Sequence, residues 1–254
     1  MDEYLDDLYT GETEVAIMAL LAALGAFSGI LTTVAGLGGG ILLLLALSLV
    51  WGPVQALAVT APALLISNFH RLVLFRKDLD KRVSWMFALG ALPGSLVGGL
   101  LAARVPEGIL TWMMIAMTLL AVTRALKLWS WNPSPGVLLP AGAAIGVLTG
   151  TSGGAGVLVA PLLIASGLKG NAYIATAALC AVAMHSGRVF GYSASGLLSR
   201  ETLLHTATLS VALLVGNVIG KWARARFLND QKAQRIEIVT LVACVLLSVS
   251  GLGH

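Results

Sequence analysis

The stretch GTSGGAG, residues 150–156, interrupts a long apolar run in the second half of the chain. Three readings are open to it: a phosphate-binding loop, a serine-nucleophile motif, or a helix broken inside a membrane. The choice separates an enzyme from a transporter.

Composition narrows it. Of 254 residues, 57% are hydrophobic and only 11% charged, with a mean hydropathy of +0.90, whereas soluble domains are about 25% charged. The chain reads as an integral membrane protein. Its apolar runs, mostly ~12 to 24 residues long, suit helices that cross or enter a bilayer core ~30 Å thick. Their continuity excludes a membrane β-barrel, whose strands would alternate. Residues 1–14, MDEYLDDLYTGETE, carry six acids and no Lys or Arg, the opposite of a signal-peptide start, so 1–13 is predicted as an acidic tail. Cys180 and Cys244 lie in apolar segments without a pairing pattern and read as small core side chains.

Helices are predicted at 14–35, 40–51, 53–75, 83–103 and 107–127, then at 136–151, 155–167, 171–191, 201–221 and 232–252. The two groups of five resemble each other. A shift of 117 residues superposes Gly25, Gly29, Leu31, Thr32, Gly36 and Gly39 on Gly142, Gly146, Leu148, Thr149, Gly153 and Gly156. After a slip of one residue, Gln55, Ala56, Thr60 and Ala61 face Asn171, Ala172, Thr176 and Ala177. Both halves also carry a small-xxx-small pair, Gly94/Gly98 and Gly216/Gly220, which lets helices approach closely in lipid. The predicted organisation is a tail (1–13), a first membrane repeat (14–127), a cytoplasmic connection (128–135) and a second repeat (136–254).

Charge gives the repeats an orientation. Loop 76–82 carries Arg76, Lys77, Lys81 and Arg82, while its counterpart at 192–200 has only Arg200. The bias reverses at the next loop, where 104–107 has one Arg and 221–235 has Lys221, Arg224, Arg226, Lys232 and Arg235. By the positive-inside rule the basic loops are cytoplasmic, so equivalent loops face opposite sides and the repeats are inverted. The expected fold class is an all-α polytopic membrane protein of two inverted repeats, each a glycine-broken hairpin followed by three transmembrane helices. The N-terminus is expected outside, in the cytoplasmic membrane.

Inverted repeats with interrupted helices mark many secondary transporters, whose site lies where the broken helices meet. The breaks here are AGLGGG (35–40) and GTSGGAG. A break frees backbone groups that lipid cannot satisfy, so it lines a cavity or packs inside protein. The helix N-termini that follow favour an anion. The interior is nearly free of acids but contains His70, Arg71, His185 and Arg188, and an intramembrane cation without a carboxylate is a functional-site hypothesis. Snorkelling of both arginines to the interface is the competing reading. The expected site comprises Gly36, Gly38, Gly39, Ser152, Gly153 and Gly154 at the breaks, with Thr60, Asn68 and Thr176 as neutral hydrogen-bonding groups. His70, Arg71, His185 and Arg188 would supply positive potential. Buried Ser and Thr can instead bond back to their own helix.

The phosphate-loop reading fails because the stretch lacks a Gly-Lys-Ser/Thr ending and follows no strand. Intramembrane serine hydrolysis by Ser152 with His185 as base is the alternative, and an anion channel another. Hydrolysis leaves the duplication unexplained: the first-half counterpart, Ala35-Gly36-Leu37-Gly38, has no nucleophile.

GILTTVAGLGGGILLLLALSLVWGPVQALAVTAP and its echo GVLTGTSGGAGVLVAPLLIASGLKGNAYIATAA resemble the TauE/SafE family of membrane permeases, the sulfite exporters, from about Val15 to Leu252. The second half departs from the fuller glycine run at Ser152 and Ala155. The resemblance implies transport of sulfite, organosulfonates or related small anions. Expected partners are that anion, a coupling proton or sodium ion, and the lipid bilayer, with no cofactor, metal or nucleic acid.

Overall fold

The computed structural model describes residues 2–36, 38–126, 128 and 134–250. Every regular element among them is helical: α1 (Asp2–Ala35), α2 (Gly39–Trp51), α3 (Pro53–Phe75), α4 (Lys81–Ala102), α5 (Glu107–Ala125), α6 (Leu138–Ser152), α7 (Val159–Ala165), α8 (Gly170–Ala194), α9 (Arg200–Phe227) and α10 (Asp230–Ser250). Short 3₁₀ turns occupy Arg76–Asp78, Pro135–Val137 and Ala155–Leu158. Five stretches, in α1, α3 with its following turn, α4, α8 and α9, are long and apolar enough to span a bilayer. By contrast α2, with 13 residues, and α7, with seven, reach only about 20 and 10 Å at 1.5 Å per residue.

The local reasons are legible. Gly52, at φ 80, turns the chain between α2 and α3, and Pro53 opens α3, where its missing N–H is no loss. Asp80 caps α4 by accepting from Val83 N at 2.9 Å, and Ser199 caps α9 by accepting from Thr202 N at 3.1 Å. Several predicted boundaries need correction, among them the end of the helix expected at 201–221, which runs on to Phe227 as α9. Helix α1 continues back through the acidic stretch to Asp2, since acids favour a helix N-terminus. The second break is narrower than GTSGGAG: α6 runs through Ser152, and the chain turns at Gly153, φ 77. After it comes a 3₁₀ turn rather than a helix from 155, because Pro161 has no N–H to bond the Val157 carbonyl. The predicted connection 128–135 falls mainly outside the described residues.

Packing crosses between the halves. Helix α1 lies along α9, and α6 along α4. Both contacts bring backbone against backbone. A Cβ added at Gly29 would stand 2.5 Å from Leu213 O, and one at Gly146 would stand 2.5 Å from Ala91 O. Gly94 and Gly98 meet the carbonyls of Ala143 and Val147, while Gly216 and Gly220 meet those of Ala26 and Ile30. Small-residue seams of this kind replace the hydrophobic effect, which does not drive helix association in lipid.

The same contacts fix direction. Gly25 faces Leu209 and Ala212, whereas Gly220 faces Ile30 and Thr33, so α1 and α9 run parallel. Gly90 faces Leu139 and Gly98 faces Val147, so α4 and α6 run parallel too. Helices α3 and α9 are parallel, through Thr206 Oγ1 to Val59 O at 3.1 Å and Lys221 Nζ to Leu74 O at 3.1 Å. Helices α3 and α8 are antiparallel: Leu57 O accepts from Arg188 at one end and Phe75 packs with Ile174 and Ala175 at the other. Arg224 Nη1 donates to Val34 O at 2.6 Å, which puts the end of α1 level with the 76–80 loop.

Two expectations follow. Gly98→Leu, forced against Val147 O, should destabilise by roughly 1–3 kcal/mol or more, whereas Gly108→Ala, with nothing within 4 Å of the new Cβ, should be silent; thermal unfolding in detergent measures both. Single cysteines at Lys77 and Lys232 should react with an impermeant maleimide from one face and a cysteine at Arg104 from the other, against the silent background of buried Cys180 and Cys244.

Candidate functional site

The two arginines settle the question of snorkelling. Arg71 on α3 is 1% exposed and Arg188 on α8 is 0% exposed. Arg71 turns inward to the end of α1. Its Nη1 donates to Thr32 O at 2.9 Å and Gly36 O at 3.3 Å, and its Nη2 to Asn68 Oδ1 at 2.6 Å. The last turn of a helix leaves carbonyls short of donors and carries the negative end of the dipole, so a guanidinium complements the end of α1. Asn68 is fixed in turn by its own donation to Leu64 O at 2.7 Å. Among the described residues, buried Arg71 Nε has no hydrogen-bond partner.

Arg188 is held differently. Its Nη1 lies 3.2 Å from His185 Nδ1; since a guanidinium only donates, that nitrogen accepts and the imidazole proton sits elsewhere. Its Nε donates to Tyr192 Oη at 3.4 Å and its Nη2 to Leu57 O at 3.5 Å. Tyr192, itself fully buried, donates to Gly150 O in the last turn of α6 at 2.8 Å. All these partners of both guanidiniums are neutral.

Between the two arrangements lies a cavity of about 60 Å³. The first break contributes Gly38 and Gly40, and the second Gly153, Gly154 and Gly156. Thr32 and Thr149 close it from the ends of α1 and α6, while Asn68 and Arg71 face Ala177, Ala181, Met184 and His185 across it. Because α3 and α8 are antiparallel, Arg71 stands at the Ala177 end and His185 at the Leu64 end, about 12 Å apart along α8 by helical rise. Thr149 Oγ1 is turned to Met184 Sδ at 3.4 Å. A buried cation among neutral groups lacks a counter-charge, and Arg71 brings one to the wall of this cavity.

Of the residues expected from sequence, Gly38, Asn68, Arg71, Gly153, Gly154 and His185 line the cavity together. Gly36 serves through its carbonyl. Arg188 stands behind His185. The others are elsewhere. Gly39 accepts from Ser28 Oγ at 2.8 Å and packs on α1. Thr60 Oγ1 donates to Ala56 O at 2.7 Å and Ser152 Oγ to Leu148 O at 2.9 Å, both back to their own helices. Thr176 accepts from Asp80 N at 3.2 Å. His70 faces Asn217 Nδ2 at 3.5 Å, away from the cavity. The counterpart of His185 is Asn68: each precedes its arginine by three residues and bonds to it, a helical i,i+3 pair. That spacing, together with Tyr192, was the signal available in the sequence. The hydrolytic pairing is not formed, since Ser152 Oγ is turned to Leu148 O and His185 Nδ1 to Arg188.

Among protein families, the sulfite exporter TauE/SafE family matches residues 21–250. No curated protein and no solved structure matches the chain.

Gly153→Ala should lose stability, by about 1–2 kcal/mol for the left-handed backbone alone and more because the new Cβ would stand 2.6 Å from Leu44 Cδ2. Ser152→Ala should stay within about 0.5 kcal/mol of the parent. Thermal unfolding of the two purified variants makes the comparison.

Proposed function

Since the chain belongs to the TauE/SafE sulfite exporter family, a family of membrane transporters and not of enzymes, we propose that it carries a small oxyanion or sulfonate through the cavity between its two helix breaks, by alternating access. The observation that carries the proposal is the pair of buried arginines held by neutral groups, Arg71 in the wall of a cavity lined by both breaks and Arg188 behind His185, which lines it too. Gly38, Gly40, Gly153, Gly154 and Gly156 line the same space.

The reading includes inverted repeats. Supporting it are the antiparallel course of the equivalent helices α3 and α8 and the reciprocal pairing of α1 with α9 and α6 with α4. An inversion carries equivalent residues to opposite depths, which accounts for Arg71 at one end of the cavity and His185, the equivalent of Asn68, toward the other. The face bearing Arg76, Lys77, Lys81 and Arg82, with Lys221, Arg224 and Arg226, is the cytoplasmic one by the positive-inside rule. That sets the N-terminus outside and Arg71 nearer the cytoplasm. For coupling the site offers a proton on His185 or a sodium ion on carbonyls freed at the breaks.

The test is flux of radiolabelled sulfite, sulfoacetate and taurine into proteoliposomes, with and without imposed pH and sodium gradients. Arg71→Gln should cut flux at least about tenfold, the worth of one charge-assisted hydrogen bond, while Ser152→Ala should leave it unchanged. Normal flux in a folded Arg71→Gln protein rejects the site; no flux of any anion by the parent protein rejects the function.

A further inference from the structure

Each break is covered by a side chain from the other half of the chain, and the two covering residues occupy equivalent places. Gly36 and Gly153, which the 117-residue shift superposes, both turn the chain at positive φ, 88 and 77. A Cβ added at Gly36 would stand 2.6 Å from Tyr173 Cε1 on α8, and one at Gly153 would stand 2.8 Å from Leu57 Cδ2 on α3. Leu57 faces Tyr173 in the alignment that pairs Gln55 with Asn171. Because α3 and α8 are antiparallel, the two side chains stand toward opposite ends of the cavity.

The covers are unlike. Leu57, 1% exposed, lies with Leu44 in the apolar core, and Leu44 Cδ2 would also meet a Cβ at Gly153, at 2.6 Å. Opening that end requires α2 and α3 themselves to move, since a close-packed core does not yield one side chain at a time. Tyr173 is only half-buried. Ala177, Ala181 and His185 line the cavity from α8, and Tyr173 stands one helical turn beyond Ala177. There it packs with Phe75 and Leu79 at the level of the basic 76–82 loop, and its phenol acts electrostatically on Arg71.

We propose that Tyr173 is the gate between the cavity and the basic face, its ring laid over the first break and turned aside to admit an anion to Arg71 while the Leu57 end stays shut. The inference rests on the transport reading above and adds to it the residue that controls access from one side. A partly exposed side chain changes rotamer without disturbing its helix. Gly36 lets the ring lie against the break, because any side chain there would strike it.

Reaction of a thiol in the cavity measures access without relying on transport. With Cys180 and Cys244 replaced by alanine, an Ala181→Cys protein in proteoliposomes is treated with the impermeant anionic reagent sulfonatoethyl methanethiosulfonate, orientation being scored on a Lys77→Cys sample. Tyr173→Ala should speed labelling from the basic face at least about tenfold, as loss of the ring's packing favours the open form, and leave the other face within about twofold. Tyr173→Phe, which keeps the ring, should match the parent from both faces. Tyr173→Trp should slow labelling from the basic face alone, and keeps the test open should the alanine variant fold poorly. A merely structural ring would give faster labelling from both faces together with a lower unfolding temperature; that result, or equal labelling of the Tyr173→Ala and parent proteins from the basic face, overturns the gate. Sulfite flux in the same preparations separates the two readings: intact flux with unchanged access rejects the gate alone, and absence of flux in the parent protein rejects transport whatever the labelling shows.

Discussion

A helix that ends against other helices leaves its last carbonyl groups short of donors, and the centre of this protein is organised around that deficit. The end of α1 is satisfied by Arg71, which reaches Thr32 and Gly36 from α3; the end of α6 is satisfied by Tyr192 from α8. Each remedy needs a long side chain from a neighbouring helix to be drawn fully inside. Burying a guanidinium is costly on its own, and the two costs offset one another: carbonyls with acceptor capacity to spare meet donors without a counter-charge. What is left over is positive charge at the edge of a small cavity.

The seams around this centre explain how the helices come close enough for such reach. Gly29 against Leu213 O and Gly146 against Ala91 O bring α1 onto α9 and α6 onto α4 with backbones touching. Apolar side chains are then free to face outward, as Trp85, Trp112, Phe190 and Trp222 do, into a hydrocarbon solvent that welcomes them. Large side chains at these seams would push the helix ends apart and take the arginines out of range of the carbonyls they hold.

Much of this was legible in the sequence, because apolar runs punctuated by glycine and proline mark helices without ambiguity of period. The ten segments were read within a few residues at most ends. The errors share a cause: one residue type serves two physical purposes. Gly150 reads like a break glycine but belongs to a packing seam, where it meets Ser95 O and Gly98. Ser152 reads like a ligand but bonds its own helix. Pairing histidine with histidine led to His70, whereas the geometry pairs His185 with Asn68, a match of position and not of residue type. The fate of the arginines was beyond reach, since the acceptors they bond are backbone carbonyls that no side-chain pattern reveals.

The crossing of the seams also bears on how the chain is made. Helix α6 follows its partner α4 by about fifty residues, as Gly94 and Ala143 mark, and can dock as soon as it leaves the ribosome. Helix α1 must wait for α9: Val34 and Arg224 are separated by 190 residues, which at cellular rates of synthesis is roughly 10–40 s. For that interval the glycine face of α1 lies against lipid, and the carbonyls at its end depend on the arginine of α3. Arg71 thus guards the half-built protein in the membrane before the second half exists to pack against it.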